Sequence, residues 1–132
     1  MSFSISAPGL DPNQVTEGLG LTPDHSHLQG DYPNKNPRHS PYKHGMWLLN
    51  SKISPDEPLS AHLERLLSVL EPKQEQILRL SEENDVNFGC DLFGQIGFQL
   101  ASDVLKRIAN LGAALGMTVY APDSVNENDS SR

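Results

Sequence analysis

The chain has 132 residues, 36% hydrophobic and 6% aromatic, with a formal net charge of −7, a size that suits one domain with a core of its own. One cysteine, Cys90, excludes an internal disulfide and fits a reducing compartment, while the acidic balance argues against general nucleic-acid binding, which needs Lys and Arg to displace counterions. No apolar run approaches the ~20 residues that cross a bilayer, and Met1–Ser6 lacks the charged start and long apolar run of a signal peptide, so a cytoplasmic protein with no membrane partner is expected.

Phe3-Ser4-Ile5-Ser6 alternates apolar and polar residues with period two, the pattern of a half-buried strand. Asp11-Pro12 then opens a short helix. The carboxylate is suited to the N-cap, proline to the first helical position, and Gly20 to a left-handed end. Thr22 to Gly45 reads as loop because Pro23, Pro33, Pro37 and Pro41 cannot donate to a central ladder, with room for a short strand near His27-Leu28-Gln29. Met46 to Ser51 is a strand apolar on both faces, which predicts a central position with Trp47 in the core.

Leu59, Leu63, Leu66, Leu67 and Leu70 recur at spacings of three and four, an amphipathic helix that Asp56 is placed to cap. Glu71-Pro72 breaks it, and a second helix from about Lys73 to Glu83 turns Ile77, Leu78 and Leu80 inward. Val86 to Cys90 reads as a strand, Gly94 and Gly97 as a turn, and Phe98-Gln99-Leu100 as another short strand. Ser102 is placed to cap a helix bearing Val104, Leu105, Ile108 and Leu111, closed by Gly112, and Leu115 to Tyr120 forms the last strand. Residues 1–121 are expected to make a single α+β domain, and Pro122–Arg132 a disordered polar tail with no apolar face to bury. The simplest packing for this order is a two-layer sandwich with helices on one face of a mostly antiparallel sheet, and a ferredoxin-like topology is one such arrangement.

The assembled order resembles the bacterial family called domain of unknown function 4279. The likeness runs from about Phe3 to Ala121. It is carried by Leu10-Asp11-Pro12, Gly18-Leu19-Gly20-Leu21-Thr22-Pro23, Gln29-Gly30-Asp31, Gly45-Met46-Trp47-Leu48-Leu49-Asn50-Ser51, and Ile108-Ala109-Asn110-Leu111-Gly112-Ala113 leading to Val119-Tyr120. The Pro- and His-rich run between Asp31 and Trp47 departs from the family pattern. The resemblance implies a small α+β domain and transfers no catalytic residue.

The chemistry-bearing residues form no familiar constellation. His25, His27, His39 and His44 share one loop region, with Asp24 and Asp31 nearby, yet no H-E-x-x-H or C-x-x-C spacing is present, so exposed histidines without a metal or other cofactor are expected. Cys90 lies in an apolar strand as a small core residue rather than a nucleophile. Neither a phosphate-binding glycine loop nor a G-x-S-x-G elbow occurs.

Charge is uneven along the chain. Tyr32 to Gly45 holds three bases and no acid, whereas Asp56 to Asp85 holds eight acids and three bases. The basic loop interleaves Lys35, Arg38 and Lys43 with Tyr32 and Tyr42, residue types that suit recognition when a rigid strand presents them. The expected binding residues are therefore Asp31, Tyr32, Lys35, Arg38, Tyr42, Lys43 and Trp47. The expected function is a non-enzymatic protein-binding module, immunity-like or regulatory, that is a monomer or homodimer and meets an unknown protein partner. A small-molecule sensor using residues 31–47 is the alternative, and a metal-dependent enzyme at the histidines is a third reading.

Overall fold

The computed structural model describes residues 1–93 and 98–120. The expected turn at Gly94 and Gly97 and the expected tail Pro122–Arg132 lie outside the described residues. The strands are β1 (Ser2–Ala7), β2 (His25–His27), β3 (Gly45–Asn50), β4 (Asp85–Phe93) and β5 (Ala114–Tyr120), and the helices are α1 (Pro12–Leu19), α2 (Leu59–Leu70), α3 (Gln74–Leu80) and α4 (Ser102–Asn110). The sheet order is β2-β3-β1-β4-β5, antiparallel at every pairing except the parallel β4–β5 pair. The order and directions of β1 to β4 match the split β-α-β plan of ferredoxin-like folds. α4 is the crossover that a parallel fifth strand requires.

Alternation along the strands separates the two faces. Phe3 and Ile5, Trp47 and Leu49, and Val86 and Phe88 point to the helical side and are buried. There they meet Val15 and Leu19 of α1, the leucine face of α2, Ile77, Ile108 and Leu111. Ser2, Ser4 and Ser6 alternate to the open side, as an antiparallel sheet with one solvated face allows. The α+β class with helices on one face is thus what the molecule adopts.

Local chemistry accounts for the element ends. Asp11 caps α1 by accepting from the Asn13 N–H at 3.0 Å, and Gly20 ends it with φ 68°. A side chain at Gly45 would collide with the carbonyl oxygen of Leu10, so the start of β3 requires glycine where the two segments touch. Asp56 does not cap α2. Pro58 stands extended at the N-cap with ψ 157°, and the residue before a proline is steered away from helix, so the helix cannot reach back to Asp56. Ser102 is likewise the first helical residue of α4 rather than its cap, which falls on Ala101.

Three further expectations are corrected. β2 covers His25–His27 rather than residues 27–29, because the Asp31 carboxylate takes the Leu28 N–H at 2.9 Å and turns the chain there. Phe98–Leu100 forms no strand; it leads into α4 with Leu100 packed against the core. Leu78 and Leu105 stay exposed, since each lies beside rather than on the face that buries Ile77 or Ile108.

The α4–β5 unit is fastened by charge as well as by Ile108 and Leu111. Arg107 of α4 grips Glu71 with Nε and a terminal nitrogen at 2.9 and 2.7 Å, and reaches Glu64 of α2 at 2.6 Å. The Arg107 hydrogen bonds hold the Glu71 carboxyl below the usual carboxylate range. Two acids of the Asp56–Asp85 stretch are therefore used internally.

Leu66 is 1% exposed at the centre of the α2–sheet contact. Leu66→Ala should cost roughly 2–5 kcal/mol in urea unfolding, as truncation of a buried leucine does. A cost below about 1 kcal/mol would refute the tight α2–sheet packing.

Candidate functional site

β2 is a three-residue edge strand, and its pairing sets where its histidines point. His25 lies opposite Leu48 and His27 opposite Met46, so both rings share the open face of the sheet. There His25 Nε2 and His27 Nδ1 approach to 3.0 Å. The His27 ring also stacks on Tyr42, with centroids 3.5 Å apart and planes 7° from parallel.

Tyr42 arrives there because the intervening loop is clasped at its base. The Gly30 N–H donates to the Tyr42 carbonyl at 2.9 Å, and the Tyr42 N–H donates to the Asp31 carbonyl at 2.8 Å. Gly30 has φ 92°, a conformation glycine adopts without cost. Asn34 and Lys35 are held left-handed at φ 53° and 57°, which costs energy for non-glycine residues and is commonest at binding sites. The result is a cavity of about 650 Å³ lined by His25, His27, Asp31, Tyr32, Lys35 and Tyr42, among others.

Burial lowers the His27 pKa below the usual histidine value, and the neighbouring His25 lowers it further. A hydrogen bond to the His44 backbone and the Asp31 charge act in the opposite direction without prevailing. The folded protein thus binds this proton less well than the unfolded chain. Stability from this group is fully present above ~6.5 and falls as pH drops below that value.

Four expected residues, Asp31, Tyr32, Lys35 and Tyr42, line the cavity. Arg38 and Lys43 are exposed but do not line it. Trp47 is the correction. It is fully buried on the opposite face of β3, with its indole N–H donating to Thr16 Oγ1 at 3.0 Å, so it cannot border this cavity. Strand alternation decides this, since His25 and His27 share a face with Met46 and Leu48 while Trp47 points the other way. His39 and His44 do not line the cavity either. Among the described residues no group of three or more His, Cys, Asp or Glu side chains converges as a metal set.

Other chemistry lies elsewhere. Burial raises the Cys90 thiol above its usual pKa, the opposite of what a nucleophile needs. A cavity of about 570 Å³ on the open face near Asn87 and Asp91 has no basic side chain in its wall. Sequence reasoning missed the contact between Ser51 and His62, both buried, whose Oγ and Nδ1 lie 2.6 Å apart. It joins the end of β3 to α2, and only the inward periodicity of His62 with Leu59, Leu63 and Leu66 signals it.

A five-stranded mixed sheet covered on one side, with a loop-roofed cavity at its edge, defines a small α+β domain without a recognisable catalytic set among the described residues. The family model described as Domain of unknown function (DUF4279) matches residues 1–122, and the chain belongs to that family. No curated protein and no solved structure matches the chain.

In a proton NMR titration, His27 should show a midpoint below ~6.5, and Tyr42→Ala should move it upward by opening the ring to water. A wild-type midpoint at or above that value would contradict the burial described. Separately, Ser51→Ala should destabilise the fold by about 1–3 kcal/mol, because the His62 nitrogen loses its buried partner. Unchanged urea unfolding would show that another group satisfies that nitrogen.

Proposed function

We propose that this protein is a non-enzymatic binding module that captures a small, flat organic ligand, with an anionic group, in the cavity between β2 and the 30–42 loop. The observation that supports this most is the loop itself, clasped by paired backbone hydrogen bonds so that Tyr42 is stacked in place before any ligand arrives. Such preorganisation lowers the entropy lost on binding. The cavity's size of about 650 Å³ falls in the range of small-molecule sites. Tyr32 is 43% exposed and offers a ring face for stacking, and Lys35 places an ammonium in the wall.

A screen of small aromatic acids and mononucleotides by ligand-detected NMR tests this reading. At least one class should bind, Tyr42→Ala should abolish binding, and Lys35→Ala should weaken it while flattening its salt dependence. Binding that survives Tyr42→Ala, or a screen without any binder, would count against the cavity as the site.

A protein partner, immunity-like or regulatory, is the second reading, and a different observation favours it. β5 is an edge strand of seven residues without one charged side chain, and among the described residues nothing pairs with its free edge. On it Val119 and Tyr120 are exposed, as is Phe93 on the neighbouring β4, with Phe93 and Tyr120 stacked at 4.8 Å. Natural edges usually carry charge, proline or a cover, so a bare apolar edge suits association. Val119→Lys should abolish self-association or partner capture measured by light scattering and affinity pull-down. Full retention of both would place any protein contact elsewhere.

A further inference from the structure

The two histidines of β2 meet more closely than neighbouring exposed side chains need to. We propose that His25 Nε2 and His27 Nδ1 together chelate one late-transition-metal ion of the copper(II) or nickel(II) class at the rim of the cavity. The ion's remaining positions stay open to water or a small ligand.

Geometry carries the assignment. The nitrogens lie 3.0 Å apart on one face of the strand, at positions i and i+2. Two nitrogens each ~2.0–2.1 Å from one ion are separated by about 2.9 Å when they occupy cis positions at a right angle, and by about 3.4 Å at the tetrahedral angle. The observed 3.0 Å is that of the hydrogen bond joining the two rings, and it already lies within the bite that one shared ion requires. Imidazole suits copper and nickel, and copper(II) heads the affinity order of the divalent series.

The surroundings agree. Tyr42 stacks flat on the His27 ring and fixes its orientation. Asp31 adds negative charge that His27 feels, while Lys35 in the same wall opposes a cation. Without metal, one facing nitrogen carries the proton shared between the rings. Metal binding moves that proton to the far nitrogen of the same ring, so both facing lone pairs become free and the net charge of the pair is unchanged. With two protein ligands and no third converging among the described residues, the site is an exchangeable one rather than a structural staple.

The inference does not rest on the organic-ligand reading, since it needs neither Tyr32 nor Lys35. Tag-free protein should be titrated with copper(II) against a glycine competitor and followed by visible absorption and electron paramagnetic resonance. The expected result is one equivalent bound with imidazole nitrogen hyperfine structure. His25→Ala and His27→Ala should each weaken binding by at least the roughly tenfold that loss of an outer partner costs, and His39→Ala should leave it unchanged. Circular dichroism of the variants, expected to match wild type because His25 is exposed on an edge strand, separates loss of a ligand from loss of fold. Equal copper affinity in wild type and in the folded His25→Ala and His27→Ala variants would overturn the proposal, as would wild-type binding without imidazole hyperfine structure.

Discussion

Phe3 holds the register of the central strands, and the placement of everything else follows from that. Its ring lies 5.1 Å from Phe88 across one side and 6.4 Å from Trp47 toward the other, edge-to-face in both cases. Phe3 is paired with Phe88 on β4 and with Leu49 on β3, so all three strands must present their large residues to the helices together. A slip of one residue in β3 would move Trp47 to the solvent face and carry Met46 and Leu48 inward. Because β2 takes its register from β3, that slip would change which face receives His25 and His27. The aromatic trio in the core thus determines the face on which the cavity opens, although none of its members lines that cavity.

The loop over β2 solves a different problem. It must leave an edge strand, travel through several prolines and return to begin β3 at a glycine that only fits because it lacks a side chain. Its base is ordered by backbone hydrogen bonds between Gly30, Asp31 and Tyr42, supported by the Asp31 carboxylate on Leu28. On the other flank of β2, Asp24 accepts from the Asn50 N–H at 2.7 Å and pairs with Lys52 at 3.1 Å. That backbone hydrogen bond, with Lys52 adding to it, keeps the Asp24 carboxyl below its usual pKa. The edge strand is only three residues long, and polar clasps on either side of it supply what its short ladder cannot.

Much of the fold was legible because periodicity and burial agree. The leucine spacing of α2, the alternation of β1 and the capping residues of α1 each state their own local structure, and packing does not override them. Helix starts were harder to read. Asp56 is a good cap by type, but Pro58 two residues later controls the backbone, and sequence offers no weight between a favourable cap and a steric prohibition. The candidate site was legible in part. Tyr32, Lys35 and Tyr42 stand out by composition, whereas Trp47 reads as both core and binding residue, and only the pairing of β3 with β2 separates these roles. The convergence of His25 and His27 depends on side-chain rotamers, and that of Ser51 and His62 on how β3 meets α2. Spacing places His25 and His27 on one face of a strand without setting their ring contact, and it says nothing of Ser51 and His62.

The uneven charge also looks different once folded. An acidic stretch from Asp56 to Asp85 suggests a face awaiting a basic partner, but Glu64 and Glu71 converge on Arg107 and leave fewer free carboxylates than the count implies. The bidentate contact with Glu71 lies between α2 and the crossover helix that delivers β5. That helix fully buries only Ile108, with Leu111 just beyond it, so a charge-assisted grip has more to do there than at a typical surface pair. The basic loop contrasts with this. Lys35, Arg38 and Lys43 make no salt bridge among the described residues, although acids outnumber bases by 17 to 10 in the whole chain. Electrostatics therefore divides the molecule: acids of the helices hold the fifth strand, while the bases of the loop above β2 stay outside any salt bridge among the described residues.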